Sequence, residues 1–427
     1  MYHYYNVQFK NKLLLLDIGN ELNNNAAMIK YKMPEKWIHY DKAAIVGELA
    51  EAKGAILALK TIPFQRRWVE ALQAMQLKLE IAGTSKIEGA DFSGAELDAA
   101  LRETPAQLIT RSQRQAHAAM QTYKWIPTIP NDLPITQELI CEFHRRIITG
   151  ADDDHCAPGV PRARDHNVTF GVPPHRGAEG GAECEAALSQ LVDAIQKGFG
   201  EHDNLVQALA LHYHFAAMHP FIDGNGRTAR ALESLFLQRA GMRDSTFIAM
   251  SNYYYDEKKA YLESLAAVRQ LDFDLTPFLK FALKGIALQS QRLAAEISRH
   301  VRIEVFRGLI HDLFGRLRTP RKRVIAKRQI AILEHLLEFN EVDWFTFYGS
   351  CLRLYTDVKN PGKALLRDVN HLITLGTIGF RQQPTTGTPE KFFMWARLDW
   401  PSEITETEFF QKLSSLPRAK GNLFIPR

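Results

Sequence analysis

From Asp41 to about Ile303 apolar residues recur at helical spacing, one loop-like stretch apart, and almost no segment alternates with the period of two that a strand needs. Ile45, Leu49, Ala52, Ile56 and Leu59 follow Asp41, a suitable N-cap. A second helix is expected from about Gln65 to Ile81, with Gly83 available to stop it. Prolines at 127, 130 and 134 mark a break, after which Thr136 caps a helix whose inner face holds Leu139, Ile140, Phe143 and Ile147. Positions 151–180 read as loop with one extended stretch, Asn167-Val168-Thr169-Phe170. Helices are predicted again at about 183–197, 204–218, 226–240, 257–268 and 275–303. The body of the chain is therefore expected to be mainly α.

The chain has 427 residues, 46% hydrophobic and 24% charged, which excludes wholesale disorder and fibrous repeats. A net charge of +5 is too mild to mark a nucleic-acid binder by itself. Four scattered cysteines, without a CxxC pair, suit a reducing compartment. The longest apolar run near the N-terminus, Leu13 to Leu16, is too short for a secretory leader or a membrane span, so a cytoplasmic protein with no membrane partner is expected. Translation starting at Met28 or Met33 instead of Met1 stays open.

Chemistry concentrates between residues 219 and 230, His-Pro-Phe-Ile-Asp-Gly-Asn-Gly-Arg-Thr-Ala-Arg. Pro220 ends one helix, and Gly224 and Gly226 let successive backbone N–H groups converge before the next begins, a ready anion site. Arg227 and Arg230 oppose the positive end of the helix dipole unless an anion sits there. Asp223 offers a hard oxygen ligand suited to Mg²⁺ bridging phosphates. His219 is the nearby group that titrates around neutrality, hence the general base. Together these residues read as a phosphoryl or nucleotidyl transfer site.

The segment resembles the signature of the Fic family, HxFx(D/E)GNGRxxR, at every fixed position. That resemblance implies a helical core that transfers AMP from ATP to a Ser, Thr or Tyr hydroxyl of a target protein, self-modification included. It implies His219 as the catalytic base and Asp223 as the Mg²⁺ ligand. Gly224, Asn225, Gly226, Arg227, Thr228, Ala229 and Arg230 would bind the nucleotide, with Arg230 on the γ-phosphate. By the same analogy Tyr261 is the preferred base contact, and Asn167, Val168, Thr169 and Phe170 form a flap hairpin that aligns the target by strand addition. Thr84-Ser85-Lys86-Ile87-Glu88-Gly89 is similar to the family's inhibitory motif, (S/T)xxxE(G/N), in which Glu88 would pair with Arg230 and take the γ-phosphate position. AMP removal on the same site is the alternative activity.

Two other polar groups are read as ordinary structure. His212 lies on an apolar helix face and is expected to be a packed, hydrogen-bonded side chain. Asp152, Asp153, Asp154, His155 and Cys156 offer a cation-binding set as an alternative, but an exposed acidic loop is the expected reading.

Basic residues crowd from Arg316 to Arg328 around Pro320 and suggest a linker. Beyond it, a helix with Ala326, Ile330, Leu333 and Leu337 precedes a second one opened by Asn360-Pro361 and closed by Gly376. Two strands, about 377–382 and 391–398, then suggest a winged helix-turn-helix, a frequent companion of Fic cores. Its second helix carries Lys363, Arg367, Asn370 and Thr374 on one stripe; the first three are the candidate DNA contacts. A DNA-binding regulator with a nucleotide-sensing core is thus a competing reading, and a homodimer is left open. The expected divisions are an N-terminal tail (1–39), a helical region with the inhibitory motif (40–126), the Fic core (127–303), the basic linker (304–323), the winged helix (324–400) and a C-terminal tail (401–427).

Overall fold

The computed structural model describes residues 29–63, 65–171, 173–243, 246–317, 319–383 and 391–415. The chain divides into two compact units: residues 1–61 with 69–293, and residues 62–68 with 294–427. Among the described residues no helix is long and apolar enough to cross a membrane.

The first unit is helical, as the spacing predicts. After a short strand β1 (Ile29–Lys30) come α1 (Lys42–Thr61), α2 (Arg66–Ile87), α3 (Gly94–Arg102), α4 (Arg111–Trp125) and α5 (Gln137–Ile148). Strands β2 (Thr169–Phe170) and β3 (His175–Arg176) follow, then α6 (Ala182–Lys197), α7 (Asn204–Met218), α8 (Asn225–Arg239), α9 (Met250–Asp256), α10 (Lys258–Gln270) and α11 (Thr276–Gly315). Asp41 and Thr136 accept N-cap bonds from Ala43 and Leu139, as expected. Helices α7 and α8 are buried over most of their length, and their apolar side chains form the floor on which the rest packs.

Several expectations need correction. Residues 29–39 are not a tail: β1 pairs in parallel with β3, Tyr31 is buried, and the Trp37 carbonyl accepts from His214. The tail before Met28 lies outside the described residues. Gly83 does not stop α2, which continues to Ile87. A side chain at 83 would collide with the Ser251 backbone, so the glycine permits close packing there.

The stretch 304–323 is not a linker either. Helix α11 carries on to Gly315 because Phe306, Ile310, Leu313 and Phe314 keep an apolar stripe buried in the second unit, and α12 (Pro320–Leu337) starts five residues later.

The second unit adds β4 (Val342–Asp343), α13 (Trp344–Cys351), α14 (Pro361–Leu375), β5 (Ile378–Gln383) and β6 (Lys391–Ala396). Its antiparallel sheet has the order β4-β6-β5; the loop between β5 and β6 lies outside the described residues. The C-terminal segment is no tail up to residue 415. Helices α15 (Trp400–Glu403) and α16 (Glu406–Ser415) close the core with Trp400 and Phe409, both buried.

Candidate active site

Helix α7 ends at His219, which adopts a left-handed conformation, φ 51°. That turn is unusual for a residue with a Cβ and marks a constrained position. It points the imidazole into a cleft of about 490 Å³ lined by Glu88, Phe170, Asp223, Gly224, Gly226, Arg230, Lys258 and Tyr261, among others. His219 Nδ1 lies 2.6 Å from the Ala216 carbonyl oxygen. A carbonyl can only accept, so Nδ1 carries the proton and Nε2 keeps its lone pair. Burial pushes the imidazole down to about 4, against the opposing pull of the Ala216 bond and Glu88. Phe170 of the flap stacks on the ring at 3.6 Å.

The loop after His219 is braced from inside. Asn225 both receives the Phe221 N–H (2.9 Å) and donates to the Phe221 carbonyl (2.8 Å). Its side chain therefore holds the loop shut, while the residue itself lines the cleft. Gly224, at φ 74°, caps α8 in a conformation suited to glycine, with Ile148 and His144 packed where a Cβ would project. His144 accepts from Gly159 N–H through Nδ1 and donates through Nε2 to the Asp223 carbonyl, and its ring stacks on Phe221. Buried Arg162 ties the same corner to the flap, donating to the carbonyls of His219 (2.8 Å), His166 (2.6 Å) and Ala178. In the flap β2 pairs antiparallel with β3, and Val168 accepts from Gly177 N–H. Thr169 and Asn167 are exposed.

Helical geometry separates the motif residues. Gly226 and Arg230, four apart, share the face toward the cleft. The side chains of Arg227, Thr228 and Ala229 fall on the inner face and are buried, away from the cleft lining. Arg227, 2% exposed, donates from Nη1 to Asp152 Oδ2 at 2.6 Å. Asp152 is 0% exposed and also receives Arg111 Nε (2.6 Å) and Gln115 Nε2 (2.9 Å). The acidic stretch is thus not wholly an exposed loop: its first member is the buried counter-charge of a motif arginine.

Helix α2 enters this site end-on. Gln76 and Glu80 fix it, accepting from the N–H groups of Ala249 (3.1 Å) and Ser251 (2.8 Å), and Tyr123 donates to Glu80 at 2.7 Å. Burial lifts the Glu80 carboxyl to about 7, its hydrogen bonds notwithstanding. One and two turns further on, Thr84 and Glu88 meet Arg230. The guanidinium donates to Thr84 Oγ1 (2.9 Å), the Thr84 carbonyl (3.1 Å) and Glu88 Oε1 (2.7 Å). Glu88 Oε1 lies so close to Gly226 that a methyl group there would collide with it. Burial alone would raise the Glu88 carboxyl, but the charge and bond of Arg230, with Arg227 and His219 behind, hold it below the usual range. Lys258 donates to the Ile87 carbonyl at 2.8 Å and pins the same turn.

Asp223 Oδ1 accepts the Gly224 N–H at 2.5 Å, and Oδ2 lies 3.0 Å from His155 Nε2 and 3.4 Å from Arg111 Nη2. Burial opposes its ionisation, yet Arg227 and these bonds keep the carboxyl below the ordinary value. Tyr261 lines the cleft with its hydroxyl 2.8 Å from His212 Nε2 and its ring stacked on Tyr254. His212 is packed and hydrogen-bonded, as expected, with Nδ1 on buried Glu233. Arg111, His144 and Lys258 were not singled out from the sequence. None belongs to a motif that names it, and each takes its role from a segment distant in the chain.

In the second unit α14 exposes Lys363 and Thr374. Asn370 is 8% exposed and donates to the Leu366 carbonyl, and Arg367 donates twice to its neighbour Asp368. Asn370 is therefore not presented as a DNA contact.

Residues 134–237, which hold the turn at His219, the glycine-rich loop and Arg230, match the Fic/DOC family; the chain carries a Fic/DOC domain there. It is similar to Protein adenylyltransferase Fic of Drosophila willistoni, 31% identical over 152 residues, which cover 35% of this chain and 27% of that protein. The chain thus aligns with about a quarter of that curated relative's length. Among solved structures it resembles Fic-1 (residues 134–508) from C. elegans, with TM-score 0.51, 20% identity and coverage of 61% of this chain and 74% of the other. It also resembles a Fic family protein from Desulfovibrio desulfuricans, with TM-score 0.51, 18% identity and coverage of 86% and 99%. At these identities the two structures speak to the fold.

Proposed function

We propose that the protein is a nucleotidyltransferase that moves AMP from ATP to a Ser, Thr or Tyr hydroxyl of a target protein, and that Glu88 holds this activity back. The carrying observation is His219: a neutral imidazole whose Nδ1–H is committed to Ala216 and whose Nε2 opens to a cleft walled by the first turn of α8. Nε2 takes the proton of the incoming hydroxyl as its oxygen attacks the α-phosphorus, and pyrophosphate leaves. The free N–H groups at the start of α8 receive phosphate oxygens, and Arg230 receives the γ-phosphate. Thr169 and Phe170 offer the target an extended edge.

Asp223 would hold Mg²⁺. Its Oδ2 already has a cationic guanidinium nitrogen 3.4 Å away, so positive charge fits there. The ion would neutralise charge on the phosphates.

Glu88 competes with the γ-phosphate for Arg230. Like charges at about 4 Å repel by roughly 4 kcal/mol at an effective dielectric of 20, so the two do not share the site. AMP removal is the second reading. It is favoured by the ionised Glu88 carboxylate, its side chain 33% exposed at the cleft, where it can orient water.

The C-terminal unit is read as a winged helix: α12, α13 and α14 precede the β5–β6 hairpin, with β4 as third strand. Of the three DNA-contact candidates, exposed Lys363 and one-third-exposed Arg367 keep that reading. The deciding experiment uses Mg²⁺ and ATP labelled at either the α- or the γ-phosphate. Label on protein from the α-position alone supports AMP transfer; label from the γ-position means kinase chemistry and overturns it.

A further inference from the structure

The edge of the cleft beyond Asp223 holds a second donor that the signature does not contain. His155 Nε2 lies 3.0 Å from Asp223 Oδ2. Two ligands bound side by side on one octahedral cation, at metal–ligand distances of about 2.1 Å, are themselves about 3.0 Å apart. The other ring nitrogen is committed: His155 Nδ1 lies 2.7 Å from Asp154 Oδ1, the carboxylate–imidazole pairing that aims Nε2 at a metal. Arg111 Nη2 sits against both donors, 3.3 Å from His155 Nε2 and 3.4 Å from Asp223 Oδ2. It places a positive charge where a cation bridging the two would go.

Asp152 stands nearby but is no ligand. Oδ1 is taken by Arg111 and Gln115, and Oδ2 by Arg227 and Gln115. Its part is to anchor Arg111, whose Nε it holds at 2.6 Å.

We infer that His155 is a nitrogen ligand to the divalent cation held by Asp223, and that Arg111 guards this position and must swing out for the cation to enter. The inference rests on the AMP-transfer reading only in taking Asp223 as a metal ligand. Two consequences follow. An imidazole in place of one oxygen ligand favours Mn²⁺, Co²⁺ or Ni²⁺ over Mg²⁺ more than an all-oxygen site does. And metal entry is coupled to α4, the helix that carries Arg111, so whatever moves α4 changes cation affinity at the cleft.

The test is pulsed EPR on the full chain titrated with Mn²⁺, with and without ATP. Coupling from a directly bound nitrogen is expected in the wild type. It should vanish in His155→Ala and His155→Gln, with Mn²⁺ affinity falling at least the roughly tenfold that loss of even an outer-shell partner costs. Arg111→Met, checked for folding by its melting curve, should bind Mn²⁺ several-fold more tightly. No nitrogen coupling in a wild type whose Mn²⁺ signal needs Asp223, or coupling that survives in both His155 variants, overturns the ligand assignment. Unchanged or weaker Mn²⁺ binding in a folded Arg111→Met protein overturns the guard. The Mn²⁺ signals do not depend on turnover. Failure of AMP transfer with the nitrogen coupling intact sinks the functional reading alone, and the converse result sinks this inference alone.

Discussion

The first turn of α8 and the exposed stripe of α14 carry the same kinds of side chain and use them differently. On α8, Arg230 is held by Thr84 and Glu88, more than 140 positions away, and Arg227 by Asp152, 75 positions away. On α14, Arg367 bonds the adjacent Asp368, and Asn370 bonds the carbonyl four residues back. Partners from distant segments are held by tertiary packing, so any ligand must compete with a built interaction. Partners from the same helix form wherever the helix does. Arginines on a helix face therefore speak to function when what satisfies them comes from far away.

The contrast can be broken most directly at Asp152. Asp152→Ala leaves buried Arg227 with only its longer, 3.4 Å contact to Asp223 and should cost about 3 kcal/mol in urea denaturation. Arg367→Ala, one-third exposed and with Asp368 still held by Arg328 and Tyr355, should cost no more than about 1 kcal/mol. Equal losses would erase the distinction.

Next in size is the base. His219→Ala should lower AMP transfer at least about 10²-fold while ATP binding persists, since the α8 cradle is untouched. Near-normal transfer removes His219 from the mechanism.

Glu88→Gly should raise transfer, self-modification included, by tenfold or more, equivalent to about 1.4 kcal/mol per tenfold. Adding Arg230→Ala should cancel the gain. If Glu88→Gly leaves a folded protein with unchanged or lower transfer, the water-orienting reading moves ahead.

A smaller effect is the pH profile. A base must be unprotonated to act, and burial holds His219 near 4, so the rate should stay flat from pH 8 down to about 5 and fall below that. An acid limb centred near 6.5, the ordinary imidazole value of about that size, would show that His219 is solvated in the working enzyme.

The smallest change concerns α14. If Lys363 touches a DNA phosphate, Lys363→Ala should lower the magnitude of the log–log salt slope of duplex binding by roughly 1. No duplex binding at low salt would leave this face to protein contacts.

Much of the site was legible because local chemistry fixes it. Pro220 must end α7, Gly224 adopts the left-handed cap with no Cβ to strain, and 3.6 residues per turn put Gly226 and Arg230 on one face. The reach of α2 was not legible. Gly83 reads locally as a stop, and only the approach of Ser251 shows why a glycine is needed inside the helix. Three consecutive aspartates read as solvated charge; Asp152 is buried because Arg111 and Arg227 arrive from two other helices.

By itself the sequence determined a helical chain with a glycine-rich turn, a histidine just before it and a carboxylate within it, because each follows from neighbours within a dozen positions. The tertiary structure alone decided which arginine faces the cleft and which is locked inside. It also decided where Glu88 lands and that Arg111 and His155 meet at Asp223. Those outcomes depend on the packing of α2, α4 and the loop after α5 against α8, and pairings over such distances leave no periodic trace in the chain.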